Sequence, residues 1–197
     1  MKKIFKLLME LFKGISVINS SPAIYIKKLD AICIADLHLG YEGIMAEYYG
    51  VFLPKTQFRD EMEELKLIIE EQKASEIILN GDVKHEFSET SYHEFREVSE
   101  LLSFLEKNFE KIIIVKGNHD NFIARVTRKF EKVELVECYE EKNFVFFHGH
   151  KMVKKLEELK GKTVITAHEH ASIAFYSKVG KKEKIPCFLH GNVNNFE

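Results

Sequence analysis

The sequence predicts an α/β fold built around a mixed sheet. Short apolar runs alternate with longer segments of helical periodicity, the pattern of a sheet with covered faces. The last two apolar runs follow one another with no helix between them, which calls for antiparallel as well as parallel pairing. No repeat, low-complexity tract or Gly/Ser/Pro-rich linker divides the chain, so its 197 residues read as a single domain over 1–197.

The elements follow in order. Ile4, Leu7, Leu8, Leu11 and Phe12 make the stripe of an amphipathic helix over 3–13, an N-terminal segment (1–14) expected to pack on the domain. Lys6, Glu10 and Lys13 interrupt that run, so it lacks the apolar h-region of a signal peptide. Strands are predicted at 23–28 and 31–36. Residues 41–54 read as a loop carrying Tyr41, Tyr48, Tyr49 and Phe52. Phe58, Met62, Leu65, Ile68 and Ile69 give a helix over 56–72 its buried face. A strand at 76–80 precedes a helix at 92–107, which Ser91 and Glu94 open as a capping box. Then come a strand at 112–116, a helix at 121–130, a strand at 144–148 and a helix at 152–159. Strands at 163–167, 172–179 and 185–190 close the pattern.

Composition narrows the chemistry. Lys plus Arg is 29 against 31 Asp plus Glu, a balance that argues against a dedicated, broadly basic nucleic-acid binder. Three cysteines, Cys33, Cys138 and Cys187, share no CxxC spacing, so a reducing cytoplasm is expected rather than a disulfide framework or Cys-rich zinc site. No stretch reaches the roughly 18 apolar residues of a membrane span. Nine histidines point to imidazole chemistry.

Five apolar runs each end in a polar cluster. They are Asp36-Leu37-His38, Asn80-Gly81-Asp82, Gly117-Asn118-His119-Asp120, His148-Gly149-His150 and His168-Glu169-His170. Ligand sites of α/β proteins lie at the carboxyl ends of strands, so parallel neighbours would bring all five to one edge. Carboxylate, amide and imidazole donors without thiolate suit Mn, Fe, Co, Ni or Zn better than Ca or Mg. Seven ligands exceed the need of one four-coordinate zinc and match two metals sharing a carboxylate, a clamp for displacement at phosphorus.

The ordered set Asp-x-His, Gly-Asp, Gly-Asn-His-Asp, His-Gly, His-x-His resembles the calcineurin-like metallophosphoesterase superfamily from Asp36 to His170. Leu37-His38-Leu39-Gly40-Tyr41-Glu42, Leu53-Pro54 and Asn80-Gly81-Asp82-Val83-Lys84-His85-Glu86-Phe87 further resemble its ICC-like or SbcD-related prokaryotic subgroup, which includes PdeM-like proteins. The resemblance implies a four-layer α/β/β/α sandwich of two mixed sheets. It implies two divalent transition metals, manganese foremost, with Fe, Zn, Ni or Co as alternatives. Asp36, His38, Asp82 and His170 would hold the first metal. Asp82 would bridge to the second, completed by Asn118, His148 and His168.

The function expected is a phosphodiesterase, acting on a nucleotide or nucleic acid. A hydroxide shared by the metals would attack phosphorus and His119 would protonate the leaving oxygen. A phosphomonoesterase and an inactive scaffold are the alternatives, and both a monomer and a homodimer are open. Two departures stand out. Gly-Asp-x-x-Asp reads Gly81-Asp82-Val83-Lys84-His85, removing the carboxylate that orients the catalytic histidine, so His85 or Glu86 is the candidate replacement. Gly-His-x-His reads Ala167-His168-Glu169-His170, a change small enough to keep the metal. Asp120 and His150 are expected beside the ligands or the substrate.

Overall fold

Two mixed sheets form from these runs in the computed structural model, which describes residues 9–19, 21–177, 180 and 182–192. The larger sheet holds seven strands in chain order: β1 (Met9–Phe12), β2 (Ile15–Val17), β3 (Ile24–Ile26), β4 (Ala31–Ile34), β5 (Glu76–Leu79), β6 (Lys111–Val115) and β7 (Val133–Val136). The first four pair antiparallel, and β4 to β7 pair parallel. Past their first residues Glu76 and Lys111, β5 and β6 are unbroken Ile, Leu and Val, and β4 is wholly apolar, because both of their faces are covered. The second sheet orders β10 (Thr163–Ile165), β9 (Phe144–Phe146) and β8 (Tyr139–Glu141). There β10 runs parallel to β9 and β8 antiparallel to it.

Helices α1 (Tyr41–Tyr49), α2 (Gln57–Glu71), α3 (Tyr92–Asn108) and α4 (Ala124–Thr127) follow the strands of the larger sheet. α3 begins at the Ser91 cap with both bonds of its capping box made. Its buried residues Val98, Leu101, Leu102 and Leu105 repeat at helical spacing and pack with Leu65, Ile68 and Ile69 of α2 on Ile32, Ile77, Leu79, Ile112 and Ile114. Each such leucine or isoleucine contributes about 2 kcal/mol of burial. The opposite face of the sheet offers Ile24, Ala31, Cys33, Ile78, Ile113 and Val115 to Tyr139, Phe144 and Phe146 of the second sheet. Beyond it, Val145 and Phe147 meet Leu159 of α5 (Leu156–Leu159). The layers are therefore α/β/β/α, with one short helix as the outer layer of the second sheet.

Several expectations change. The predicted helix over 3–13 is strand β1 at residues 9–12, and residues 1–8 lie outside those described. Pairing with β2 across the Lys13–Gly14 turn supplies the backbone partners, and Leu11 turns into the core between the sheets. Within residues 9–12, Met9 and Leu11 flank Glu10 at the alternation of a strand, and the neighbouring β2 supplies the partner that fixes it. The stretch at 41–54 contains α1, which ends at the left-handed Gly50. It buries only Gly43 and Ile44, so its sequence has almost no helical stripe. The predicted helix at 121–130 is α4, one turn. The strands predicted at 172–179 and 185–190 are β11 (Ser172–Tyr176) and β12 (Lys182–Pro186), an antiparallel hairpin apart from both sheets and exposed along its length. The antiparallel half of the larger sheet comes instead from β1 to β4. Among the described residues no helix is long and apolar enough to cross a membrane.

Candidate metal centre

Backbone pairing continues past the strand ends and fixes the polar clusters. Beyond β4 and β5, Asp36 N donates to Gly81 O (3.0 Å), His38 N to Asp82 O (2.9 Å) and Leu39 N to Val83 O (2.9 Å). Beyond β9 and β10, Ala167 N donates to His148 O (2.7 Å). The two sheets are joined by Asn80, whose side-chain amide donates to Ile165 O (3.2 Å) while its main-chain carbonyl accepts from His148 Nδ1 (2.9 Å). That bond leaves His148 Nε2 facing Asp82 Oδ2 at 3.1 Å and Asp36 Oδ1 at 3.9 Å.

Six of the seven predicted ligands thus gather in two groups across the two sheets. Asp36, His38 and His170 form one group with donor atoms within 4.8 Å of one another, and Asp82, His148 and His168 form another. Asp82 stands between them, its Oδ2 3.8 Å from His38 Nε2. Among the described residues, nine non-glycine residues have left-handed backbone, and Asp36, His38, Asp82, His168 and His170 are five of them. Each costs about 1 kcal/mol or more, so strain is concentrated where these side chains converge. Two glycines make the approach feasible. A Cβ on Gly81 would strike the His148 ring, and one on Gly117 would strike the Asp82 carboxylate and backbone nitrogen.

The donor set fits divalent cations. Asp36 Oδ1 and Asn118 Oδ1 are buried without a hydrogen-bond partner, an arrangement that costs about 1–3 kcal/mol per atom unless something accepts their lone pairs. Burial opposes ionisation of Asp82, but the His148 side chain and the His119 backbone N–H (2.9 Å) hold its carboxyl down at about 2. Burial pushes His38 down to about 4, leaving a neutral imidazole at neutral pH. The same effect raises the Asp36 carboxyl, partly offset by His170 and His148.

His119 lies beside this group with Nε2 3.9 Å from Asp82 Oδ2. Its Nδ1 contacts the main-chain carbonyl of His85. The partner of that ring nitrogen is therefore a backbone oxygen. The His85 ring sits 5.5 Å from the His119 ring and 5.4 Å from that of His38. The Glu86 carboxylate turns to Ser88 N (3.2 Å). Asp120 is fully buried and faces no substrate space. Its Oδ1 accepts from Val83 N (2.9 Å) and Lys84 N (3.3 Å), and its Oδ2 from Gly117 N (2.8 Å), tying the Asp82 and Asn118 loops together. His150 is half-buried, its ring 5.5 Å from that of His148. His93 of α3 packs flush against Gly43 of α1. His190 is exposed.

Three supports were not foreseen. Asn80 joins the sheets as described. Buried Glu94 accepts from His85 N (3.1 Å) and Glu86 N (2.6 Å) besides capping α3, so the Ser91–Glu94 capping box was its only signal. Gln57 caps the Leu37 and His38 carbonyls (3.0 and 3.3 Å).

Comparison with known proteins agrees with this architecture. A search of curated proteins finds no match. Among solved structures, the crystal structure of the Pseudomonas putida nuclease MPE is similar, with a TM-score of 0.64 and 20% identity over 93% of this chain and 80% of that one. At that identity the likeness is one of fold. A profile of calcineurin-like phosphoesterases matches residues 30–194, which include all five strand-end clusters. The chain belongs to the calcineurin-like phosphoesterase family.

Proposed function

We propose that the chain is a dinuclear metal-dependent phosphodiesterase in which His119 is the general acid. The observation that carries this reading is the pair of adjacent Asp/His groups meeting at Asp82, with His119 beside them. Asp36, His38 and His170 would hold one ion, Asn118, His148 and His168 the other, and Asp82 both. When bound, two such ions supply Lewis acidity toward the phosphoryl oxygens and an acidified water, with manganese the first choice for this donor set.

The chain's own residues do the rest. Asp82, held by the His119 N–H, keeps the two ligand groups in register. His119 donates its Nδ1 proton to the His85 carbonyl, which leaves Nε2 to deliver a proton to the departing oxygen. A diester is favoured over a monoester by the neighbouring cations. Lys84 is buried with its ammonium on the Glu86 and Ser88 carbonyls, Lys116 and Lys151 pair with Glu137, and Arg125 pairs with Glu89. A second phosphate charge would meet cations that already have partners. The nuclease activity named for the structural neighbour supports nucleotide or nucleic-acid substrates.

The test is a panel with Mn²⁺ or chelator: alkyl diesters, a nitrophenyl diester and the matching monoesters. Diester hydrolysis that chelator abolishes is expected. His119→Asn should lower alkyl diester turnover by about 10²–10⁴-fold and spare nitrophenyl leaving groups, which depart without a proton. Equal losses would remove the general-acid role. Inactivity on every ester, with metal bound, would overturn the enzyme reading.

A further inference from the structure

We infer that Phe87 is a stacking platform for the leaving group, so that the preferred substrates are diesters whose leaving group is a nucleoside. The inference rests on the phosphodiesterase reading and adds a substrate class to it. The Phe87 ring lies against the His119 ring, centroids 3.7 Å apart and planes 33° from parallel. Yet Phe87 remains 54% exposed, so one face covers the histidine while much of the ring meets solvent.

Exposure here is not the looseness of a loop tip. The Phe87 carbonyl accepts from Asn121 Nδ2 (3.0 Å), which also bonds Asn118 O (3.2 Å) and so ties this loop to that of the candidate ligand. On the other side, Glu94 holds the His85 and Glu86 N–H groups, and buried Lys84 reaches the Glu86 and Ser88 carbonyls. Leaving such a ring in water forgoes burial free energy, and the loop that carries it is held from both sides.

Position supplies the role. During hydrolysis the water oxygen bonds to phosphorus as its proton passes to solvent, the phosphorus–oxygen ester bond breaks, and His119 Nε2 gives its proton to the departing oxygen and is reprotonated from solvent. The departing group must therefore extend on the His119 side of the centre, and there the exposed Phe87 ring lies nearer the histidine (3.7 Å between centroids) than the His85 ring does (5.5 Å). A nucleobase offers a planar face to it, whereas a small alkyl group does not.

One substrate tests this internally. In thymidine 3′-(methyl phosphate), either thymidine or methanol can leave, and the ratio of the two is insensitive to folding or metal content. The Mn²⁺-loaded protein should release thymidine in preference to methanol by about tenfold or more, as base stacking on an aromatic ring predicts. Phe87→Leu should lower that ratio about tenfold, and Phe87→Trp should keep it. A thymidine dinucleotide and an oligothymidylate, run in parallel, separate a small diester from a strand end as the source of the nucleoside. Both must lose turnover in Phe87→Leu. An unchanged ratio in Phe87→Leu, or no preference in the natural protein, would overturn the inference. Cleavage of neither bond with metal in place would overturn the phosphodiesterase reading as well.

Discussion

Asp120→Asn is the sharpest probe of how the centre is assembled. The carboxylate accepts three backbone N–H groups, two from the loop after β5 and one from the loop after β6, and offers no donor. An amide keeps one oxygen. With that oxygen on Val83 and Lys84, its NH₂ faces Gly117 N–H, donor against donor, in a site without solvent. An unsatisfied buried donor costs about 1–3 kcal/mol, and the two surviving bonds lose their charge assistance. Against this stands the relief of burying a charge, because burial pushes the Asp120 carboxyl up while the N–H groups pull it down. A net loss of about 2 kcal/mol follows, a fall in Tm of about 4–8 °C for a chain of this length. The loops concerned carry Asp82 and Asn118, so metal affinity should fall about tenfold as well. Calorimetric melting of the metal-free protein reads the first effect, and Mn²⁺ titration reads the second. A variant that melts within 1 °C of the natural protein and binds metal equally well would refute the role of Asp120 as the tie.

Two further substitutions test other parts of the argument. Gly117→Ala puts a methyl on the Asp82 carboxylate and backbone nitrogen, so metal content measured after gel filtration should drop from two ions to one or none. Full occupancy would count against the close approach. Glu61 of α2 is pushed up to about 7 by burial, with Glu64 and Asp60 adding repulsion. A carboxyl with a raised pKa favours the folded state while protonated, so its cost is absent below pH 4.5 and grows until about pH 7. Glu61→Gln should therefore stabilise the protein by on the order of 1 kcal/mol at pH 8 and leave it unchanged at pH 4. A gain of equal size at both pH values would show that charge is not the cause.

Much of the centre was legible in the chain. Asp36, His38, Asp82, Asn118, His148, His168 and His170 each follow an apolar run, and strand periodicity alone places such residues at carboxyl edges. The supports were less legible. Asn80 bonds residues 67 and 85 positions away, a separation that no local pattern encodes. Glu94 announces itself only as a helix cap, because its second task uses backbone N–H groups, which every residue possesses. The group that meets His119 Nδ1 escaped for the same reason: it is the carbonyl of His85, which is independent of side-chain type.

The sequence by itself determined the α/β class, the order of the ligand-bearing loops and the identity of the residues that converge, because local apolar period and strand-end polarity are properties of adjacent residues. The tertiary structure decided the rest. It turned residues 9–12 into a strand by giving them a neighbour, and it set the second sheet on the first so that His148 faces Asp82. It also left the Phe87 ring open on His119. Each of these depends on partners far apart in the chain, whose contacts come into being only when the sheets pack together.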